Sequence, residues 1–188
     1  MYIISGCNGS GKTTASYALL PELLDCTEFV NSDEFAKSLA PFHPETAYVT
    51  ASRFMLRKLQ YLFTRRADFC IETTLATRSL IKTVRRAQDQ GYFVTVVYLW
   101  LASPEIAIQR VAARVAAGGH DVPADVIRRR YHTGLHYFFE EYAPACDKWM
   151  LVDNTSGTFD TVAEGTRKGM TVRDFDLYQQ IKSSYDSP

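Results

Sequence analysis

Gly6-Cys7-Asn8-Gly9-Ser10-Gly11-Lys12-Thr13 fits the pattern GxxxxGK[ST] at every fixed position. The residues around it fit as well. Tyr2-Ile3-Ile4 is a short apolar run that reads as a buried strand, and residues 13–24 read as a helix. Between a strand and a helix, such glycines let backbone N–H groups turn inward around phosphate oxygens. The positive end of the helix then faces the same anion. In that geometry Lys12 reaches the β- and γ-phosphates of ATP, and the Thr13 hydroxyl ligates Mg²⁺. Gly6, Asn8, Gly9, Ser10, Gly11, Lys12, Thr13 and Thr14 are therefore candidate nucleotide-binding residues, and Thr13 is the candidate metal ligand. Against this stands a plain glycine-rich turn with a chance lysine, and the flanking strand and helix argue against it. Cys7 has two readings: a thiol activated by the helix N-terminus, or a small residue that fits the loop.

Outward from the loop, strand-like and helix-like segments alternate. Residues 28–31, 68–72, 92–101 and 149–152 read as further strands, the third rich in Val, Tyr and Trp. Helices are expected after Asp33, broken near Pro41 and Pro44, then at 45–66, 78–90, 103–118 and 124–142, with one more at 174–184. Ser103 is a good N-cap, Pro104 suits the first helical turn, and Gly118-Gly119 stop that helix. The pattern predicts a single α/β domain over residues 1–188 with a mostly parallel sheet and a helical tail from about 158. Ligands of such sheets bind beyond the carboxyl ends of the strands. Asn31-Ser32-Asp33, Glu72-Thr73-Thr74 and Asp153-Asn154-Thr155 would then share one rim with the phosphate loop.

The whole chain carries 21 basic and 21 acidic residues and no net charge, which speaks against nucleic acid as the main partner. Its longest apolar run, residues 94–102, falls short of the ~20 residues a membrane span needs. No secretory leader is evident at the amino terminus. The four cysteines form no CxxC pair, and their spacing suggests neither zinc nor a disulfide framework. A reduced cytoplasmic setting is the simplest expectation.

Transfer of a phosphoryl group to a hydroxyl needs a carboxylate beside the acceptor oxygen. Asp33 is the candidate general base, with Asn31 beside it as an acceptor-side residue; the competing role for Asp33 is a helix cap. Glu72 ends its strand at the same rim, where it can hold acceptor hydroxyls or a water on Mg²⁺, or simply bond to neighbouring backbone and Thr side chains. Thr74 is a weaker candidate for acceptor contact, and residues 41–66 are expected to shape the acceptor pocket. No strong Walker B run and no NKxD guanine signature is present, which favours a small-molecule kinase over mechanical ATPases and GTPases.

Arg110 and Arg114 lie four residues apart on one helix face, either gripping an anion or forming a solvated basic face. Arg128-Arg129-Arg130 cannot all point one way. The buried stripe of Ile127, Tyr131, Gly134, Leu135 and Phe138 puts Arg128 and Arg130 on its flanks and Arg129 away from it. Two arginine-bearing helices joined by Gly118-Gly119-His120-Asp121-Val122-Pro123 predict a lid over residues 110–131 that closes arginines over the phosphates.

These motifs together resemble the zeta-toxin-like P-loop kinases. The resemblance runs from residue 2 to about 155. It rests on GCNGSGKTT at 6–14, Asn31-Ser32-Asp33, Glu72-Thr73-Thr74-Leu75, Ser103-Pro104-Glu105, RVAARVAAGGHDVPADVIRRRY at 110–131 and Asp153-Asn154-Thr155. It implies a three-layer P-loop NTPase fold with five parallel strands and ATP and Mg²⁺ as cofactors. It also implies a small-molecule hydroxyl acceptor of the UDP-N-acetylglucosamine kind and an antitoxin protein as partner. It places Lys12 on the phosphates, Asp33 as base and Glu72 and Thr74 on the acceptor. The arginines of the lid, Arg114 and Arg130 first, fall on the transferred group. The chain departs from the larger toxins in being shorter, in lacking an arginine near His120 and in lacking a separate antitoxin-binding segment. Those departures bear on the acceptor and the toxin role, leaving a nucleotide, a sugar or an antibiotic as other acceptors. A nucleotide-dependent switch without transfer is the rival from a different class.

Overall fold

A computed structural model describes residues 1–23, 26–41 and 43–185. The five strands with the strongest apolar runs pair in parallel. They are β1 (Tyr2–Ser5), β2 (Glu28–Val30), β3 (Phe69–Thr73), β4 (Thr95–Trp100) and β5 (Lys148–Asp153), in the order β2-β3-β1-β4-β5. Central β1 is held on both sides, with Ile4 opposite Glu72 in β3 and Val97 in β4. Since all five run the same way, Ser5, Thr73 and Asp153 do lie at one rim.

The sheet has seven strands rather than five. Beyond β5, β6 (Asp160–Thr166) and β7 (Gly169–Val172) add an antiparallel hairpin. The tail therefore begins as sheet and becomes helical only at α8 (Phe175–Tyr185), the described part of the helix expected at 174–184. Residues 186–188 of the expected tail lie outside the described residues. Gly165 obscures the strand in the sequence, yet a Cβ there would come within 2.5 Å of the Trp149 ring. The strand keeps a poor strand former because the neighbouring indole needs its space.

Seven further helices join the strands: α1 (Lys12–Leu23), α2 (Ser32–Leu39), α3 (Tyr48–Arg65), α4 (Ile81–Asp89), α5 (Pro104–Ala116), α6 (Ala124–Tyr137) and the short α7 (Ala143–Ala145). Leu24, the expected end of the first helix, lies outside the described residues. A 3₁₀ turn at Pro44–Ala47 precedes α3, so that helix starts later than its apolar pattern suggests. The helix expected over 124–142 changes to a π-helix at Phe138–Tyr142. The wider turn leaves both Phe138 and Tyr142 fully buried, and Tyr142 donates to the Thr77 carbonyl at 2.7 Å.

The main core lies on the sheet face that carries Ile3, Phe69, Ile71, Val96 and Tyr98, packed against α3, α4, α6 and α8. A smaller cluster around Ile4, Ala15, Val97 and Leu99 fills the opposite face under α1. All four cysteines are free and buried. No helix among the described residues is long and apolar enough to cross a membrane.

Candidate active site

The phosphate loop runs from β1 into α1, and two of its glycines are obligatory for different reasons. Gly6 has φ +138°, and a Cβ would meet the Leu99 carbonyl oxygen at 2.3 Å. Gly11 has φ +89°, and a Cβ would meet Asn154 Nδ2 at 2.4 Å. An L side chain is disfavoured at such angles even where space exists. Lys12 is buried, and its Nζ donates to the Cys7 carbonyl across the loop at 2.8 Å. Burial lowers the Lys12 pKa, with Glu72 acting in the opposite direction. The Cys7 thiol is pushed up to about 11 by burial, despite nearby Lys12. The activated-thiol reading of Cys7 is thereby withdrawn, because thiolate is the reactive form.

Two adjoining cavities meet at Lys12. The larger, about 500 Å³, is bounded by the phosphate loop, Arg110, Arg114, His120 and Phe159. The smaller, about 190 Å³, is bounded by Met55, Thr73, Thr74, Leu80 and Arg130. Lys12, Asn31, Asp33 and Glu72 line both. Met55 of α3 is thus the contribution of the 41–66 region to the smaller cavity.

Asn31, not Asp33, caps α2: its Oδ1 accepts from the backbone N–H of Asp33 at 2.8 Å and of Glu34 at 3.4 Å. This frees the Asp33 carboxylate from the capping role that competed with catalysis. It also makes Asn31 a positioning residue for Asp33, since its oxygen is committed to the backbone.

Glu72 stands at the end of β3, where the Thr13 hydroxyl donates to its carboxylate at 3.0 and 3.2 Å. Burial raises the Glu72 pKa, with Lys12 and the Thr13 bond pulling it down. Thr74 lines the smaller cavity just before Leu75, a buried residue at φ +54°. The Thr73 hydroxyl accepts from the Leu75 N–H at 3.1 Å and holds this strained turn.

The arginines divide by task. Arg130 donates to Asn8 Oδ1 at 3.0 Å and lines the smaller cavity, so it spans phosphate loop and acceptor side. It reaches there because Gly134, one turn later, lets α6 approach the Thr74 carbonyl; a Cβ would come within 2.6 Å of it. Arg114 lines the larger cavity and donates to the His120 carbonyl at 2.7 Å. Arg110 also lines it, donating to the Asn154 and Thr155 carbonyls at 2.9 Å each. Arg128 pairs with Glu105 at 3.4 Å and Arg129 is exposed, so neither enters the site.

The segment expected to form a lid packs against the phosphate loop. Helices α5 and α6 pack on the phosphate loop through Cys7, Leu101, Ala107, Val111, Ile127 and Tyr131. The loop between them contributes His120 and Val122 to the lining of the larger cavity. There His120 Nε2 lies 3.0 Å from the Tyr48 hydroxyl of α3.

Sequence reading missed Asn154 as an individual site residue, although it flagged its segment at the rim. Asn154 is buried, and its Nδ2 donates to the Ser10 carbonyl at 2.8 Å. Phe159, at φ +56°, and Gly157 line the cavity from the same β5–β6 loop. No pattern in the sequence pairs Asn154 with Ser10, which is 144 residues away.

Residues 1–135 match the AAA_33 family, an AAA domain. The chain belongs to that family. This AAA_33 chain is 32% identical over 127 residues to an uncharacterized protein of Haemophilus influenzae, covering 67% of this chain and 88% of that one. Among solved structures it is similar to the AvrRxo1-ORF1:AvrRxo1-ORF2 complex with sulphate ions: TM-score 0.80 and 18% identity over 96% of this chain. The same pair solved with ATP matches at TM-score 0.76 and 19% identity. In both, this chain spans 62% of the matched chain, under two thirds of its length. A structure from the PezAT chromosomal toxin–antitoxin system of Streptococcus pneumoniae matches at TM-score 0.69 and 17% identity, over 96% of this chain and 77% of that one. At these identities the likeness establishes a shared fold, the P-loop kinase-like α/β fold.

Proposed function

We propose that this protein is an ATP- and Mg²⁺-dependent phosphotransferase that moves a terminal phosphoryl group onto a hydroxyl of a small molecule. The observation that carries this reading is the junction of the two cavities. Lys12, Asp33 and Glu72 line both, so a donor phosphate in one and an acceptor hydroxyl in the other would meet at the same three charged groups.

Each residue then has a distinct task. The backbone of residues 6–13 wraps the phosphates, and Lys12 exchanges the Cys7 carbonyl for a phosphate oxygen. Asp33 accepts the proton of the acceptor hydroxyl as its oxygen bonds to phosphorus, and the bridging oxygen departs on ADP. Arg130 and Arg114 offset the charge that spreads over the transferred group.

Thr13 and Glu72 fit a magnesium ion in the chemistry of their donors. Both supply hard oxygen, and the Thr13 hydroxyl already meets the partly buried Glu72 carboxylate at 3.0 Å. Among the described residues no group of three or more His, Cys, Asp or Glu forms a cage of its own. Such sparse ligation suits an ion that shares its shell with phosphates and water. When bound, it would supply charge neutralisation at the phosphates.

The zeta-toxin resemblance makes UDP-N-acetylglucosamine the first acceptor to try. An antitoxin partner is proposed on the same footing, since the PezAT structure comes from a toxin–antitoxin system. The test is ATP turnover with Mg²⁺, with and without that acceptor, then with a panel of sugars, nucleotides and aminoglycosides. Acceptor-stimulated turnover that disappears in Asp33→Asn supports a kinase. If ATP binds but no acceptor stimulates turnover, the reading gives way to a nucleotide-dependent switch.

A further inference from the structure

The chain has no net charge, yet its basic residues are unevenly spread. Helix α3 contains Arg53, Arg57, Lys58 and Arg65 and no acidic residue, and Arg66 follows directly. Helix α4 adds Lys82, Arg85 and Arg86 against one acid, Asp89. The two helices touch side by side: Arg86 donates to Gln60 Oε1 at 2.5 Å and lies over the Phe63 ring.

Only Lys58 is neutralised, by Glu28 at 3.1 Å. Arg53, Arg57, Arg65, Arg66, Lys82, Arg85 and Arg86 are exposed and make no ion pair among the described residues. Elsewhere Arg78, Arg128, Lys148, Arg167 and Arg173 have carboxylate partners, and the other exposed cations without an ion pair, Lys37, Arg114, Arg129, Lys168 and Lys182, each lie on a separate element. Without those seven cations of the α3–α4 face, the chain has 21 − 7 = 14 basic residues against 21 acidic ones, a balance of −7.

Apolar side chains break up this basic face. Val49 is 68% exposed, Leu56 62% and Tyr61 55%. Val49, Arg53, Leu56 and Gln60 follow at spacings of four, three and four, which is one line along α3. A solvated basic helix has no use for large aliphatic groups on that line.

We propose that the α3–α4 face docks an acidic, amphipathic segment of a partner protein. The partner's carboxylates would lie on Arg53, Arg57 and Lys82, and its apolar residues on Val49 and Leu56. Two observations favour a short protein segment over a polynucleotide or an anionic membrane. The exposed Val49 and Leu56 give a phosphate backbone nothing to bind, which argues against a polynucleotide. The remainder of the molecule is acidic, so an extended polyanion would be repelled once it passed the edge of the patch.

The test is fluorescence anisotropy with a labelled helical peptide of Glu and Leu at helical spacing. Comparison ligands are a scrambled peptide of the same composition, a short single-stranded RNA and phosphatidylglycerol vesicles. Variants are Arg53→Glu/Arg57→Glu and Val49→Ser/Leu56→Ser, with circular dichroism and ATP affinity as controls that neither substitution should move. The expected result is binding of the amphipathic peptide, weakened on the order of tenfold by the charge reversal and several-fold by the serine pair. Equal binding of the scrambled peptide, or indifference to the serine pair, would reduce the face to simple charge attraction and overturn the proposal. So would tighter binding of RNA or vesicles with the same dependence on Arg53 and Arg57, or no peptide binding at all. Because ATP affinity is read separately, failure here leaves the kinase reading standing.

Discussion

Gly11→Ala and Asn154→Ala should together destabilise the protein by less than the sum of their separate costs. The new methyl carries two separate penalties. Forcing an L residue to φ +89° costs roughly 1–2 kcal/mol. The Cβ also lands 2.4 Å from Asn154 Nδ2 and drives it off the Ser10 carbonyl, a bond of 2.8 Å worth about 1 kcal/mol. The single change should therefore cost about 2–3 kcal/mol. Asn154→Ala alone removes the same bond, at about 1 kcal/mol, softened because Asn154 Oδ1 is buried without a partner. In the double variant that bond can be lost only once. The sum of the singles should exceed the double by about 1 kcal/mol. Urea unfolding followed by the fluorescence of the two tryptophans measures all four proteins. Additivity to within about 0.5 kcal/mol would refute the reasoning, because it would mean that the methyl and the amide never compete. Gly6→Ala serves as the contrast: its obstacle is the Leu99 backbone, so no single side-chain truncation should rescue it.

Other perturbations probe the chemistry. Asp33→Asn should leave ATP binding intact and reduce acceptor-dependent turnover by about 10²-fold or more, checked by calorimetry beside product formation. Glu72→Gln should stabilise the ligand-free protein at neutral pH. The raised pKa means the folded state binds the proton more tightly than the unfolded state, so wild-type stability falls as pH rises. The advantage of the Gln variant should vanish below the ordinary glutamate range near ~4.3 and grow above it, as thermal melts across pH would show. The same substitution should weaken the dependence of ATP affinity on Mg²⁺. A thiol reagent at neutral pH should leave Cys7 unmodified in the native protein, because burial holds its pKa at about 11. Rapid labelling at Cys7 in native conditions, seen by peptide mass spectrometry, would contradict that placement.

What could be read from the sequence followed the range of each interaction. The phosphate loop declares itself because its chemistry needs glycines, lysine and threonine at fixed short spacing. Arg130 was separable from Arg129 because helical periodicity orients side chains, and the Asn8 contact bears that out. Asp33 had two roles within reach, and Asn31 took one of them through a bond two residues long. The failures lie at long range. Gly165 disguises β6 because its reason for being glycine is Trp149, on another strand. The π-turn at Phe138–Tyr142 serves burial against distant groups, including the Thr77 carbonyl. The packing of Cys7 into the α5–α6 cluster is likewise a contact that periodicity along either helix does not reveal.

The family match stops at residue 135, but the larger cavity does not. Asn154 buttresses the phosphate loop from β5, and Arg110 fastens that same segment to α5. Two stretches of chain, one inside the family match and one beyond it, therefore line the same cavity. The first, shared across the family, carries the groups that handle phosphate. The second, anchored by the β6–β7 hairpin at the sheet's far edge, carries Gly157 and Phe159 where the rest of the nucleotide would extend. Under the proposed function, substitutions at Gly157 or Phe159 would alter the fit of the nucleotide without touching Lys12, Asp33 or Glu72.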